Sequence, residues 1–379
     1  MKFDVLVVGG GPAGSAAAIS LARANRSVCV LEATNYNSRR VGEHLAPKAR
    51  QVLGKLGCPD VLEESAALSS PGIRSFWGET ERNRDYLFER GGEGWNLDRA
   101  RFDRALASQA EKAGAILSLG AHARVVERVK RGWRVTARCQ EGLQEFNAMI
   151  LVDATGPAAF VARRLGAKRI KFDHLVARVS WIHCTNPMDH RLIVEAVDNG
   201  WWYSVPIPGD QLVTAFLTDA DYVNALDYRS SEFSRPHLCR SRDLRQDSPI
   251  TTVVPSPLIC PAESAVLDRP SGPDWIAVGD AAFARDPLSA SGIKCALESG
   301  MAAAAAILRY LGGAVPSLAD NPVETSKTIG AYLVKRAEIY RDETRWSGEP
   351  FWKRRQVAEP ATQADDLSLN HSGMEWASR

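Results

Sequence analysis

The chain has 379 residues, of which 45% are hydrophobic and 24% charged, an ordinary globular composition with room for two sizeable cores. A net charge of +2 argues against a nucleic-acid or membrane partner. The seven cysteines form no Cys-x-x-Cys pair, so no metal site or dithiol motif is expected, and reduced thiols favour a cytoplasmic location. The N-terminus enters an apolar run at once, so we also expect no signal peptide.

The N-terminal segment carries a dinucleotide-binding pattern. Residues 3–8 form a nearly continuous apolar run, as expected for a parallel strand buried on both faces, and residues 15–24 are typical of a helix. The connecting sequence Gly-Gly-Gly-Pro-Ala-Gly is a G-x-G-x-x-G motif. In this motif Gly9 makes the tight turn, Gly11 lets a pyrophosphate approach the backbone, and Gly14 lets helix and strand pack closely.

A second apolar strand over residues 28–31 ends at Glu32. This carboxylate follows Gly14 by 18 residues and is predicted to bond the ribose hydroxyls of the dinucleotide. Residues 39–47 form a loop with glycine, proline and charged residues, and such loops often cover a cofactor. His44 in this loop is a catalytic candidate, although packing against a cofactor or at the surface is the simpler interpretation.

Residues 97–113 are predicted to form a helix with an arginine on its buried face. Arg99, Phe102, Asp103 and Leu106 share that face because they are spaced at i, i+3, i+4 and i+7. An arginine in this position needs an anionic partner. A cofactor phosphate or ribose would serve, and Asp103 is the alternative.

A further buried strand over residues 149–152 ends in Asp-Ala-Thr-Gly, a polar sequence that fits the edge of the cofactor site. From residue 172 the chain is rich in β-branched and aromatic residues, which predicts an antiparallel sheet inserted into the dinucleotide fold. The predicted domains are a cofactor-binding domain over 1–171 and 274–322, with 60–97 contributing to the substrate side, a β-rich substrate domain over 172–273, and a helical tail over 323–379.

The densest aromatic stretch is Gly-Trp-Trp-Tyr-Ser-Val-Pro at residues 200–206. Alternation along a strand places Trp201 and Tyr203 on one face and Trp202 on the other. One face is suited to wall a cavity over a planar cofactor or an aromatic substrate. The alternative is a sheet that packs on its own core.

Residues 275–311 hold a second cofactor-binding pattern, with an apolar strand, a turn rich in Gly, Asp and Pro, and an alanine-rich helix. The free N–H groups and positive dipole end of that helix suit a phosphate or a developing anion. Asp280 can accept hydrogen bonds from a ribityl hydroxyl, and Pro287 offers a rigid, donor-free wall for a planar ring. An ordinary strand-to-helix turn is the alternative. Charged residues interrupt the helix, so we interpret it as buried rather than membrane-spanning.

The tail combines basic and aromatic residues, which suggests contact with a partner protein because Trp and Arg are enriched at interface hot spots. Those residues are Tyr340, Trp346, Phe351, Trp352, Lys353, Arg354 and Arg355. Packing of the tail on its own domain is the alternative. Residues 226–248 are predicted to be helical and residues 358–379 weakly ordered.

As a set, these motifs resemble the flavoprotein monooxygenase and halogenase superfamily, whose two-domain fold is similar to that of p-hydroxybenzoate hydroxylase. The resemblance implies an α/β fold: a Rossmann-like FAD-binding domain, an inserted antiparallel β-sheet substrate domain and a C-terminal helical tail. It also implies non-covalent FAD, with its ring against residues 280–292. The implied cofactor-binding residues are Gly9, Gly11, Pro12, Ala13, Gly14, Glu32, Ala33, Arg40, Gly42, Glu43, Arg99, Val125, Thr155, Gly156, Gly279, Asp280, Pro287, Ser291, Gly292 and Ile293. The catalytic candidates are Trp201, Tyr203, Pro287, Glu43 and His44.

Within the superfamily the closer likeness is to flavin-dependent halogenases. Their G-W-x-W-x-I-P motif resembles residues 200–206, with Tyr203 where the second tryptophan belongs. Tryptophan halogenases also carry a glutamate where this chain has Ser289. They need a lysine in the first third of the chain, whereas here none lies between Lys55 and Lys112. These departures count against halogenation.

Residues 201–204, 217–221 and 345–355 look more like a halogenase-like subgroup that hydroxylates a tryptophan side chain in a partner protein. That reaction belongs to the maturation of tryptophylquinone-bearing amine and amino-acid oxidases. The predicted function is therefore an FAD-dependent monooxygenase that acts on an aromatic ring through a flavin C4a-hydroperoxide formed with O₂. Alternatives are a hydroxylase or halogenase of small aromatic molecules, a reductase of the geranylgeranyl-reductase type, and a flavin-bound chaperone.

The sequence also bears on the electron source. No second G-x-G-x-x-G follows the first, so we expect no separate nicotinamide-binding domain. Reduction by NAD(P)H alone should be slow, and turnover should improve with a separate flavin reductase.

Overall fold

The computed structural model describes residues 2–89, 92–184, 189–223, 250–253, 257–320 and 326–356. The helix expected over 226–248 and the segment 358–379 lie outside these ranges. The described helices are α1 Pro12–Arg23, α2 Lys48–Lys55, α3 Val61–Glu64, α4 Arg99–Lys112, α5 Phe160–Arg164, α6 Ala220–Val223, α7 Gly292–Leu311, α8 Ser326–Arg341 and α9 Pro350–Gln356.

The first half of the chain contributes the strands β1 Lys2–Val8, β2 Val28–Glu32, β3 His44–Leu45, β4 Leu68–Ser70, β5 Gly72–Phe76, β6 Glu81–Asp85, β7 Gly94–Asn96, β8 Ile116–Leu119, β9 His122–Arg128, β10 Trp133–Cys139 and β11 Gly142–Asp153. The second half contributes β12 Arg169–Lys171, β13 Leu175–Cys184, β14 Leu192–Val197, β15 Gly200–Ile207, β16 Gln211–Asp219, β17 Ile250–Val253, β18 Leu258–Pro261, β19 Ala265–Leu267, β20 Ser271–Gly272, β21 Trp275–Ala277 and β22 Phe283–Ala284.

The first sheet has eight strands, and its main path is β20-β21-β11-β1-β2-β8. From β21 to β8 the neighbours are parallel, and β9 and β10 continue antiparallel from β11. Side chains of β1 alternate between two cores: Val5 and Val7 pack with α1 and α7, and Leu6 and Val8 pack on the opposite face. The Rossmann-like fold predicted from the glycine motif is confirmed.

The helix α7 is the segment whose apolar composition raised the question of a membrane span. It packs against α1 so closely that a Cβ on Gly300 would lie 2.2 Å from the Ala13 carbonyl oxygen. Among the described helices, none is long and apolar enough to cross a bilayer.

The second sheet also has eight strands, in the order β17-β13-β16-β15-β14-β5-β6 with β18 beside β13. The neighbours from β13 to β14 are antiparallel, so the inserted antiparallel sheet is confirmed. The β5–β6 hairpin comes from the first part of the chain, and β5 pairs with β14 in parallel. Residues 72–85 thus join the second sheet, while the numerical domain limits stay a prediction.

The C-terminal helices α8 and α9 pack on the second sheet, as the predicted helical tail requires. The side chains of Tyr340, Phe351 and Trp352 are fully buried in the core of that sheet. Arg355 is 4% exposed, and its guanidinium pairs with Asp219 at 2.5 Å. A buried side chain cannot contact a partner, so the docking prediction is wrong for these four tail residues. The alternative, packing on the chain's own domain, holds for them.

Candidate functional site

A cavity of about 930 Å³ extends from the glycine turn between β1 and α1 to the inner face of the second sheet. Its volume lies in the range of cofactor and ligand sites. The carboxyl ends of β1, β2, β11 and β21 meet there because these strands are parallel neighbours. The predicted site residues that line it are Gly9, Gly11, Pro12, Ala13, Glu32, Ala33, Arg40, Gly42, Glu43, His44, Arg99, Thr155, Gly156, Trp201, Tyr203, Asp280, Pro287, Gly292 and Ile293.

Three further predicted residues lie behind the lining and support it. A Cβ on Gly14 would lie 2.0 Å from the Gly9 carbonyl oxygen, and a Cβ on Gly279 would lie 2.9 Å from Cβ of Ala13. Both glycines therefore permit close packing. The Ser291 hydroxyl shares a 2.9 Å hydrogen bond with the Ser289 hydroxyl. Ser291 is the N-cap residue of α7, but its side chain makes no hydrogen bond to the N–H groups at the start of that helix.

Val125 is the predicted cofactor residue that the structure places elsewhere. Its side chain is 43% exposed and does not line the cavity. The pairing of β9 with β10 shifts register beside it, and this bulge turns Ala123 and Arg124 toward the cavity instead. The Val125 side chain therefore lies outside the cavity lining, and its contact with the cofactor stays a prediction.

The N-terminus of α1 faces the cavity without a capping side chain. Gly9 has φ of +107°, and a Cβ there would lie 2.2 Å from the Ala154 carbonyl oxygen, so this turn requires glycine. Gly11 is the N-cap residue, and it makes no side-chain cap bond. A Cβ on Gly11 would meet no atom within 4 Å. Free N–H groups below an open space suit a phosphate group.

Glu32 ends β2 with a buried carboxylate that organises the turn around it. Its Oε2 accepts a hydrogen bond from the Gly10 N–H at 2.8 Å. Its Oε1 accepts from the Thr34 N–H at 2.9 Å, the Thr34 hydroxyl at 2.6 Å and Arg40 Nη2 at 2.7 Å. A carboxylate oxygen has two acceptor sites, so Oε2 retains one. A ribose hydroxyl is the partner that we propose for it.

Arg99 and Arg40 share the buried carboxylate of Asp103. Arg99 donates to it from Nε at 3.1 Å and from Nη2 at 3.2 Å, and Arg40 donates from Nη1 at 2.8 Å. Arg99 Nη1 also donates to the carbonyl oxygens of Val41 and Gly42, which fixes the loop against α4. Asp103, the alternative considered from the sequence, is thus the anionic partner of Arg99. Both arginines reach the cavity as fixed cations.

The strand end at Asp153 holds the next part of the lining. Its carboxylate accepts hydrogen bonds from the Thr155 N–H at 3.0 Å, the Thr155 hydroxyl at 2.7 Å and the Ala162 N–H at 2.8 Å. These bonds close the turn that brings Thr155 and Gly156 to the cavity. Asp153 itself is buried, and it contributes to the cavity by holding this turn in place.

The segment between β21 and α7 contains two 3₁₀ turns, Gly279–Ala281 and Pro287–Ser289. Asp280 in the first turn lines the cavity, and burial raises the pKa of its carboxyl group. Asp286 caps the second turn by accepting a hydrogen bond from the Leu288 N–H at 2.9 Å. The cap holds the proline ring of the second turn against the cavity, beside the start of α7.

The aromatic end of the cavity is built on β15. Trp201 and Tyr203 face the cavity with ring centroids 6.4 Å apart, while Trp202 packs against Phe216 on the other face at 4.8 Å. The predicted alternation is observed. The Tyr203 hydroxyl donates to Glu43 Oε2 at 3.0 Å, and burial raises the pKa of both groups. Glu43 Oε1 is buried and has no hydrogen-bond partner within the described residues.

His44 lies on β3 at the cavity wall, with both ring nitrogens occupied. Its Nδ1 lies 2.8 Å from Asn96 Oδ1, and its Nε2 lies 2.8 Å from the Tyr86 hydroxyl. The Asn96 amide nitrogen donates to the His190 carbonyl oxygen, so Asn96 Oδ1 accepts from Nδ1–H and Tyr86 donates to Nε2. Burial lowers the pKa of His44 to about 4. A neutral, fully bonded imidazole fits the packing interpretation better than proton transfer.

Sequence reasoning missed several residues of the cavity. Arg169 on β12 donates to the Asp280 carbonyl oxygen at 3.2 Å, and Glu263 lies beside it. Asp286 and Arg285 also line the wall next to the predicted proline. Short strands such as β12 carry no motif, so no local signal could identify them. Among the described residues that line the cavity, none is a lysine.

Known flavoproteins resemble this chain over most of its length. The FAD binding domain family matches residues 2–337, and the match ends within α8. "Putative FAD-dependent oxidoreductase LodB" of Marinomonas mediterranea is 28% identical over 365 residues, which cover 94% of this chain and 97% of the relative. The crystal structure of the flavin-dependent halogenase CmlS has a TM-score of 0.80 at 22% identity and covers 98% of this chain and 71% of its own. QhpG, described as a peptidyl tryptophan dihydroxylase essential for tryptophylquinone cofactor biogenesis, has a TM-score of 0.72 at 24% identity. That match covers 94% of this chain and 79% of QhpG.

The cavity is compatible with an extended FAD molecule. Gly11 leaves open space at an uncapped helix start, Glu32 offers an acceptor at the end of β2, and Asp280 lines the cavity within the 3₁₀ turn Gly279–Ala281. These groups suit a pyrophosphate, a ribose and a ribityl chain in turn. The chain therefore belongs to the FAD binding domain family, and it is an FAD-dependent oxidoreductase.

Proposed function

We propose that this enzyme hydroxylates an aromatic ring, and that its substrate is a tryptophan side chain in a partner protein. The observation that carries the proposal is the aromatic end of the cavity, where Trp201, Tyr203 and the buried Glu43 meet. One oxygen atom of O₂ would be inserted into a C–H bond of the ring to give a hydroxyl group, and the other would leave as water. The balance requires two electrons and two protons from the reductant and solvent. FAD supplies the chemistry that activates O₂.

The side chains at this end orient the substrate rather than ionise it. Trp201 and Tyr203 line this end of the cavity, where they would orient an indole ring. An indole is electron-rich without losing a proton, so no strong base is required. Glu43 Oε1 can accept a hydrogen bond from the indole N–H, because this oxygen has no hydrogen-bond partner within the described residues. Val179 and Val194 line the cavity and pack in the same core as Trp201, and their apolar side chains would limit the access of water to the reacting atoms.

Two observations support oxygen insertion over halogenation. The described cavity lining includes no lysine, and Ser289 stands where tryptophan halogenases carry a glutamate. QhpG, whose fold this chain shares, is described as acting on a peptidyl tryptophan. CmlS, with the same fold, is described as a halogenase, so halogenation is the competing outcome that an experiment must separate. The partner protein and a separate flavin reductase are parts of the proposal.

The test supplies FAD-loaded enzyme with NADH, a flavin reductase, air and bromide, and offers free indole, free tryptophan and short peptides with a central tryptophan. We expect peptide products heavier by about 16 mass units, the mass of one inserted oxygen atom, and weaker turnover of free indole. A brominated product would establish the halogenase alternative, and a product heavier by about two hydrogen atoms would establish a reductase.

Two variants locate the reaction in this cavity. Trp201→Ala should abolish turnover because it removes one wall of the substrate end. Trp202→Ala is the matched control, since that ring packs on the opposite face of the same strand and should affect stability only. Equal loss of turnover in both variants would contradict the proposed location.

A further inference from the structure

We propose that Tyr340 of α8 is a positioning residue that ties the Pro287 turn to the aromatic wall at Trp201. Helix α8 would thereby set the distance between the turn that begins at Pro287 and the aromatic wall at Trp201. This inference rests on the FAD assignment and not on the proposed substrate. Its test therefore needs no aromatic substrate, and its failure would leave the proposed hydroxylation untouched.

The Tyr340 hydroxyl lies between two cavity residues and bonds to both. It accepts a hydrogen bond from Trp201 Nε1 at 3.1 Å and donates one to Asp286 Oδ2 at 2.9 Å. The directions are fixed, because an indole nitrogen only donates and a carboxylate only accepts. Trp201 and Tyr340 are both buried, so neither bond competes with bulk water. The result is one continuous link from the wall at β15 to the turn before α7.

The helix α8 also holds the turn at other points. Arg336 Nε donates to Asp286 Oδ2 at 3.1 Å, and the Asp286 N–H donates to the Tyr332 hydroxyl at 2.6 Å. Arg336 is balanced by Asp173, whose Oδ2 lies 2.8 Å from Nη2. Asp286 in turn caps the 3₁₀ turn that begins at Pro287. Three side chains of one helix thus converge on one residue of the cavity wall.

The packing role and the bridging role of Tyr340 can be separated. Its ring packs with Trp77 at 5.8 Å and with Trp352 at 5.9 Å between centroids, so the ring belongs to the core. The bridge depends on the hydroxyl alone. Tyr340→Phe keeps the ring and removes the link, which leaves Trp201 Nε1 without its acceptor and frees the wall to move relative to the turn.

The matched control is Trp352→Phe. Trp352 lies in the same core and packs on the Tyr340 ring, but its Nε1 donates to the Val197 carbonyl oxygen. That bond lies on the sheet and has no part in the link to Asp286. Trp352→Phe therefore measures loss of packing without loss of the bridge.

The experiment compares the FAD-loaded wild type, Tyr340→Phe and Trp352→Phe without any substrate. It measures FAD affinity, melting temperature, visible circular dichroism of the bound flavin, and hydrogen peroxide release after dithionite reduction and exposure to O₂. For Tyr340→Phe we expect FAD affinity within about threefold of wild type, an altered flavin dichroism band and about tenfold faster peroxide release, the scale of a small misplacement in a site. For Trp352→Phe we expect a lower melting temperature and unchanged flavin signals.

Unchanged dichroism and peroxide release in Tyr340→Phe would overturn the proposal, and so would equal changes in Trp352→Phe. Trp201→Phe breaks the same link from its other end and should reproduce the flavin signature of Tyr340→Phe. It decides the question if Tyr340→Phe yields too little folded protein. A Trp201→Phe variant with wild-type flavin signals would then reject the link.

Discussion

The substitution Gly11→Val tests where the pyrophosphate binds, because a side chain at this glycine would meet open space in the FAD-free protein. Gly11 has φ of −74°, and a Cβ there would meet no atom within 4 Å. Valine should therefore fit the FAD-free protein at a cost of about 1 kcal/mol or less, the scale of an N-cap substitution. With FAD present, its methyl groups occupy the space through which phosphate reaches the α1 N–H groups. We expect affinity to fall about 100-fold or more, which is about 2.7 kcal/mol.

The neighbouring glycine of the motif gives the opposite result and serves as the control. A Cβ on Gly14 would lie 2.0 Å from the Gly9 carbonyl oxygen and 3.0 Å from Cβ of Ala154. Gly14→Ala should therefore destabilise the FAD-free protein by about 1–3 kcal/mol, as overpacking does. The protein that remains folded still presents an open Gly11 and should keep most of its FAD affinity.

The assay titrates FAD into each FAD-free protein and follows quenching of flavin fluorescence, with melting curves recorded in parallel. Wild-type FAD affinity in Gly11→Val would refute this position for the pyrophosphate. An exchange of the two losses, so that Gly11→Val melts early and Gly14→Ala binds no FAD, would refute it as well.

Three other predictions follow from the sequence and the structure. Mixed anaerobically with NADH alone, the enzyme should be reduced slowly, and fast bleaching in stopped flow would contradict this by showing direct reduction without a second G-x-G-x-x-G motif. Trp352→Ala should destabilise the protein by about 3–5 kcal/mol because it opens a cavity in the core of the second sheet. A wild-type melting temperature in this variant would contradict the burial of Trp352. Burial raises the pKa of Glu43, so the folded state loses stability as pH rises through that pKa. Glu43→Gln should therefore raise the melting temperature at pH 8 but not below pH 4.5, and a difference independent of pH would contradict this.

The parts of the cavity whose position can be predicted from the sequence depend on local geometry. The glycine motif requires a positive φ at Gly9 and an open helix start at Gly11, and both occur because strand, turn and helix are adjacent in the chain. The orientation of Trp201 and Tyr203 follows from the two-residue period of a strand. Glu32 reaches the turn because it ends the neighbouring parallel strand.

The parts that the sequence could not predict depend on contacts between distant segments. Tyr340 and Asp286 are 54 residues apart, and no periodicity links them. The Val125 side chain lies outside the cavity lining because a bulge shifts the register of its strand, which a pattern of side chains does not reveal. The tail was ambiguous for a different reason. Tryptophan and arginine are common both at interfaces and in aromatic cores, so composition alone could not place Trp352 or Arg355.

The central claim is that the enzyme inserts oxygen from O₂ into an aromatic ring. The most direct measurement is the mass of the product formed under ¹⁸O₂ in ordinary water, with bromide present and a tryptophan peptide as substrate. We expect a gain of about 18 mass units, the replacement of one hydrogen by a hydroxyl group that carries the labelled oxygen. A gain of about 16 units, which would come from water oxygen, or a brominated peptide would contradict it.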